Sequence, residues 1–243
     1  MTDVIYMSGA KGGTGTSTCA VMLGAALAKE GERTLIIDGD SECASVLSLC
    51  GLQGLSVYTL ADAESGACRV KQAILQHPHI PDLYVLPSLG CKDETVAKNA
   101  VKECEGLFDC IICDNTAREA CNSAILVCEP YSASVLAASK KTAALKDGGL
   151  KKVQIIVNKI NGGLVFSGAV PTPQEIATLA GAPLAGAIPE DLSLPLGKIK
   201  PSTRRAFTMT ALLLKERDDK IYKVIKPYAG IKGLIKRKLR EMV

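Results

Sequence analysis

The densest chemistry in this chain lies in ten consecutive residues, Gly9-Ala10-Lys11-Gly12-Gly13-Thr14-Gly15-Thr16-Ser17-Thr18. Glycines at 12, 13 and 15 remove Cβ atoms where a loop must take positive φ, which lets successive N–H groups aim at one point. A helix starting directly behind such a loop adds unpaired amides and the positive end of its dipole, so the segment is built to hold an anion. Ser17 stands where the hydroxyl of a phosphate-binding loop meets Mg²⁺. The chemistry implied is that of a nucleoside triphosphate with Mg²⁺. Lys11, Gly12, Gly13, Thr14, Gly15, Thr16, Ser17 and Thr18 are its candidate contacts.

Further candidates follow at the ends of apolar runs. Thr34-Leu35-Ile36-Ile37 leads into Asp38-Gly39-Asp40, and Phe108-Asp109-Cys110-Ile111-Ile112-Cys113 leads into Asp114. Carboxylates at strand ends in a sheet whose first loop binds phosphate fall where open α/β sheets place their ligands. The plainer alternative is that they only solvate those ends. Asn158 closes another apolar run, Val153–Val157, and Pro189-Glu190-Asp191 follows later.

The elements that must position these residues are readable from periodicity. Val4–Met7, Thr34–Ile37, Leu83–Pro87, Phe108–Asp114, Ala124–Pro130 and Val153–Lys159 are short, apolar and partly β-branched, as buried strands are. Helical patterns cover Ser17–Glu30, Ser45–Cys50, Arg69–Gln76, Asp93–Cys104 and Ser132–Leu145. Alternating strands and helices with continuously apolar strands predict an α/β fold, a mostly parallel β-sheet with helices on both faces. At 243 residues the chain suits one large domain. With no Trp and 4% aromatics, its core must be built from aliphatic residues and Cys.

The glycine-rich loop resembles the variant P-loop of the ParA/MinD family, K-G-G-x-G-K-[ST]-[ST], and ordered motifs extend the resemblance from Thr2 to about Asp191. The resemblance implies a P-loop NTPase fold of the SIMIBI type and ATP with Mg²⁺ as cofactors. Lys11 matches the lysine that crosses to the partner subunit's nucleotide in an ATP-bound homodimer. Asp38 and Asp40 match the first switch, one supporting the Mg²⁺ water shell and the other the attacking water. Asp114 matches the Walker B aspartate, so Ser17, Asp40 and Asp114 are the expected metal-site residues. Asn158 resembles the base-contacting residue, and Pro189 and Asp191 belong to a stretch like the adenine-lining I-P-E-D loop. Two departures stand out. Asn115-Thr116-Ala117 lacks the proline of the family's D-x-P switch, and Thr16 replaces the second lysine, which holds the β- and γ-phosphates. A lost charge-assisted contact costs roughly 1.5–3 kcal/mol, about ten- to a hundred-fold in affinity. Hydrolysis suffers more, because charge grows on the phosphates in the transition state.

Charge is unevenly placed. Of the net +4, the segment from Lys220 to the end carries +7, which leaves −3 for residues 1–219. Ile231, Leu234, Ile235, Leu239 and Met242 form one helical stripe with Lys and Arg opposite, the pattern of a segment lying in an anionic lipid surface. This tail, residues 227–243 against a nucleotide-binding domain of 1–226, resembles the membrane-targeting helix of MinD-type members. The expected behaviour is an ATP switch that dimerises on nucleotide, visits the inner membrane face reversibly, answers to an activating protein and positions division or other machinery. No signal peptide or membrane-spanning run is evident, so a cytoplasmic location is expected. Nucleic acid is a weaker partner reading, because the basic residues are not spread over the domain.

Three alternatives remain: a nonenzymatic pseudo-ATPase scaffold, a ParA-like DNA-partition ATPase, and a metallocentre-assembly ATPase with dimer-bridging cysteines, for which Cys91 and Cys121 are the candidate pair. Most of the ten cysteines otherwise read as buried thiols acting as small apolar residues. Cys110 and Cys113 sit three apart on one strand and so face opposite ways, against shared ligation. His77-Pro78-His79 reads as a surface loop.

Overall fold

The computed structural model describes residues 2–40, 42, 45–91, 93–194 and 197–228. The basic tail stripe of residues 231–243 lies outside them. Strand β1 (Asp3–Gly9) feeds the glycine-rich loop and then α1 (Thr16–Lys29). Next come β2 (Thr34–Asp38), the short helices α2 (Ser45–Cys50), α3 (Leu60–Glu64) and α4 (Val70–Ala73), and the strands β3 (Leu75–Gln76) and β4 (Leu83–Leu86). The chain continues through α5 (Glu94–Cys104), β5 (Cys110–Asp114), β6 (Ser123–Cys128), α6 (Ser132–Asp147) and β7 (Lys152–Ile160). It closes with α7 (Gly162–Phe166), α8 (Pro173–Ala180), β8 (Leu184–Pro189) and α9 (Pro201–Leu214).

The eight strands form one sheet in the order β3-β4-β2-β5-β1-β6-β7-β8. Every pairing is parallel except that of the edge strand β3 with β4. Strand β1 is central, flanked by β5 and β6. The chain winds outward from it in both directions, so the crevice where strand order reverses opens at the carboxyl end of β1. Both faces are covered. On one, Met7, Ile36 and Ile112 pack beneath α1, α2 and α9; on the other, α5 covers Leu35, Ile37 and Ile111, while α6 and α8 cover Leu126, Ile155 and Val157. These strand residues are at most 1% exposed, which is why the strands read as unbroken apolar runs.

Helix ends follow local chemistry. Asp93 caps α5, its side chain accepting from the Thr95 N–H at 2.8 Å. Helix α8 opens with a Thr172/Glu175 capping box and Pro173, and ends at Gly181 with φ 75°. One expectation needs correction. The helical pattern over Arg69–Gln76 breaks at Ile74, which is extended, and Leu75 and Gln76 pair antiparallel with Val85 and Tyr84. Pro78 disfavours the helical region for His77, and edge pairing satisfies the backbone that a longer helix would have left open.

Candidate functional site

Strands β1, β2 and β5 all end at the same edge of the sheet, and the register places Asp38 opposite Asp114 and Asp114 opposite Met7. The glycine-rich loop, the residues after β2 and the residues after β5 therefore border one cleft of about 940 Å³. Its walls include Lys11, Gly12, Ser17, Asp40, Asp114 and Lys141.

The loop holds its shape through its own side chains. Gly13 and Gly15 have φ of 80° and 85°. The buried Thr14 hydroxyl donates to the Lys11 carbonyl at 3.1 Å and lies 3.4 Å from the Thr16 hydroxyl. A methyl group at Gly9 would lie 2.5 Å from both of those hydroxyl oxygens, so only glycine lets the loop close on itself. Asn158 is buried and donates from Nδ2 to the Thr14 carbonyl at 2.9 Å. Its Nδ2 stands 2.7 Å from where a Cβ on residue 15 would be, a second close approach that requires glycine. Lys11 is exposed at the outer edge.

The acidic wall is electrostatically loaded. Burial pushes Asp114 up to about 6, a hydrogen bond from Ser17 opposes the rise, and Asp38 and Asp40 add to it. Burial also raises Asp38, although the Asp40 N–H at 3.0 Å and the Val46 N–H at 3.1 Å donate to its two oxygens and pull it back. Asp38 thus pins the loop after β2 to the start of α2. Asp40 accepts from the Glu42 N–H at 3.1 Å and from the Ser45 hydroxyl. Buried carboxylates held against their preference for solvent suit a divalent cation facing them. Among the described residues no cluster of three or more His, Cys, Asp or Glu has metal-holding geometry.

The loop after β5 is tightly wound. Asn115 and Ala117 have φ of 55° and 50°, and the Asn115 Oδ1 accepts from the Ser8 hydroxyl at 2.9 Å. A Cβ on Gly39 would collide with the Asp114 carbonyl oxygen and sit 3.0 Å from Thr116. The loops after β2 and β5 are therefore in backbone contact.

Of the sequence candidates, the cleft brings together residues 11–13 and 15–18 with Asp40 and Asp114. Asp38 is fully buried beneath them. Asp191 takes other partners: its oxygens accept from the Ser193 N–H at 3.1 Å, the Lys200 N–H at 2.9 Å and the Thr203 hydroxyl at 2.8 Å, which ties the start of α9 to the end of β8. The reading of Cys110 and Cys113 agrees with the geometry, while Cys50, Cys68, Cys91 and Cys121 are only partly buried. Cys110 and Cys113 belong to clusters on opposite faces of the sheet, and burial pushes Cys110 up to about 12.

Two lysines at the loop went unread. Lys159 donates to the Gly13 carbonyl and pairs with Glu129, each at 2.6 Å. Lys141, from α6, donates to the Ser8 hydroxyl at 3.0 Å and the Gly9 carbonyl at 2.8 Å. The signal for Lys141 lay in spacing: it falls in the buried stripe of Ser134, Ala138 and Leu145, where a charged residue needs a polar destination.

Residues 5–198 match the CobQ/CobB/MinD/ParA nucleotide binding domain. The chain belongs to this family. Among similar proteins, the septum site-determining protein MinD of Thermotoga maritima is 30% identical over 206 residues, covering 78% of this chain and 76% of its own length. The corresponding protein of Synechocystis is 29% identical over 205 residues, with 79% and 77% covered. The MinD chain of a MinC:MinD cell division complex from Aquifex aeolicus superposes with a TM-score of 0.82 at 25% identity, over 89% of this chain and 97% of its own. MinD from Pyrococcus horikoshii, solved with Mg-ADP, gives 0.77 at 26% identity over 89% and 97%. The expected α/β P-loop fold and the ParA/MinD resemblance are both borne out.

Proposed function

We propose that this protein is a MinD-like ATP-binding switch that dimerises around nucleotide and hydrolyses ATP slowly. The observation that carries the reading is the cleft itself, where a self-braced glycine loop faces Asp40 and Asp114 across the carboxyl edge of the sheet. Loop amides and the start of α1 would hold the phosphates. Ser17, Asp40 and Asp114 would hold Mg²⁺, which when bound neutralises charge growing on the phosphates. Lys11, exposed at the rim, would reach a partner subunit's nucleotide. Asp38 and Asp40 would order the attacking water. Asn158 would bound the base pocket beside Pro189, with Asp191 supporting that wall through α9.

Reversible attachment to an anionic membrane would come from the basic stripe of residues 231–243, dimerisation presenting two such tails at once. Among the described residues no helix is long and apolar enough to cross a membrane. The role we infer is positioning of cell-division machinery with an activating partner protein.

Mg²⁺-ATP binding by calorimetry, with phosphate release measured in the same samples with and without anionic liposomes, tests this. Binding with slow release, raised in Thr16→Lys, is the expected result. Binding without any release in either form would favour a scaffold that senses nucleotide, a reading Thr16 also supports. Absence of binding in both forms would refute the proposal.

A further inference from the structure

With Thr16 in place of lysine, the loop itself sends no cation to the phosphates it is shaped to hold. Among the described residues, three lysines border it. Lys11 is exposed at the rim, and the charge of Lys159 is already paired with Glu129 at 2.6 Å. Lys141 differs from both. Its ammonium rests on two neutral acceptors, the Ser8 hydroxyl at 3.0 Å and the Gly9 carbonyl at 2.8 Å, and among the described residues no carboxylate pairs with it. It also lines the cleft.

Gly9 connects this lysine to the altered position. Its carbonyl takes the Lys141 hydrogen bond, and the Thr16 hydroxyl lies 2.5 Å from where a Cβ on Gly9 would be. Lys141 and Thr16 therefore both approach Gly9, and both line the one cleft. Holding it there is costly: burial lowers the Lys141 pKa, and neutral acceptors compensate a charge only partly. Charge-assisted contacts to an anion are roughly twice as strong as neutral ones, so a phosphate oxygen is the better partner. The flexible four-carbon stem allows the exchange.

We propose that Lys141 supplies, from α6, the phosphate-holding cation that Thr16 lacks. The inference rests on the nucleotide-binding reading above and names how that site is completed. Its test is a binding cycle read by calorimetry with Mg²⁺-ATP, using native protein, Lys141→Met, Lys141→Arg, Thr16→Lys and the Thr16→Lys/Lys141→Met double variant. Lys141→Met is expected to lose about ten- to a hundred-fold in affinity, the range of a lost charge-assisted contact. Lys141→Arg should keep most of it, and Thr16→Lys should restore binding in the Lys141→Met background. Should Lys141→Met fail to fold, Lys141→Gln, which keeps donors for Ser8 and Gly9 but no charge, should show the same loss. Native binding that Lys141→Met or Lys141→Gln leaves unchanged overturns this inference alone. A loss that Thr16→Lys does not rescue also overturns it, marking Lys141 as a brace of β1. If native protein binds no Mg²⁺-ATP, the nucleotide reading falls and this inference with it.

Discussion

Removing the charge of Asp114 should make the ligand-free protein more stable. The carboxyl is 3% exposed and its pKa stands at about 6 against an ordinary 3.8. Between those values the folded protein keeps a proton that the unfolded chain has released, so stability falls as pH rises through the window. Above about pH 6 the penalty is complete, about 3 kcal/mol at ~1.4 kcal/mol per unit. Asparagine has similar size and hydrogen-bonding capacity, so Asp114→Asn should recover most of it. For a chain of this length that corresponds to a rise of roughly 6–12 °C in Tm at pH 7.5. At pH 4.5 most folded molecules already carry the proton, and the gap should shrink to about 1 kcal/mol. Thermal melting at both pH values, in chelator and without nucleotide, reads this directly. A variant that melts at or below native at pH 7.5, or a gap that does not narrow in acid, would refute the claim that Asp114 is held charged against its environment. Adding Mg²⁺ and ATP should then stabilise the native protein more than the variant, because only the native side chain has a charge for the cation to offset.

Three further outcomes are expected. Gly15→Ala forces a side chain into φ 85° and against Asn158; calorimetry should show nucleotide affinity falling at least ten-fold, and circular dichroism a retained fold. Gly186→Ala drives a methyl into Thr210 on α9 and should cost about 1–3 kcal/mol in urea unfolding without changing nucleotide affinity. Asp191→Ala leaves the N–H groups of Ser193 and Lys200 and the Thr203 hydroxyl without their acceptor, at about 1–3 kcal/mol. The hydrogen bonds depress the Asp191 pKa, so its contribution is present above pH ~4 and is lost as pH falls through the lower folded value; the difference from native should therefore close in strong acid.

The strands that carry the site were legible because a parallel sheet covered on both faces buries every strand residue, as in β2 and β5, and so writes unbroken apolar runs. The loop was legible because its glycines answer local backbone demands. What escaped reading is what depends on distant partners. Helix α9 has no acidic first turn and takes its anchor from Asp191, ten residues before it begins. Strand β3 exists only because β4 lies beside it. Lys141 reaches Ser8 across 133 positions; its place in the buried stripe of α6 calls for a polar destination but does not say which. The direction of the Asp191 side chain, towards Ser193, Lys200 and Thr203, depends on packing that the sequence does not show.

The missing side chain at residue 39 has a mechanical meaning. Because the turn after β2 rests directly on the Asp114 carbonyl and on Thr116, the two segments occupy one shared volume with no compressible layer between them. Neither can be displaced towards the other, and either can retreat only if its neighbour follows or a gap opens at the end of the sheet. A movement of the turn after β2 towards β5 would therefore press directly on the main chain at Asp114 and Asn115, with no side chain between to absorb it.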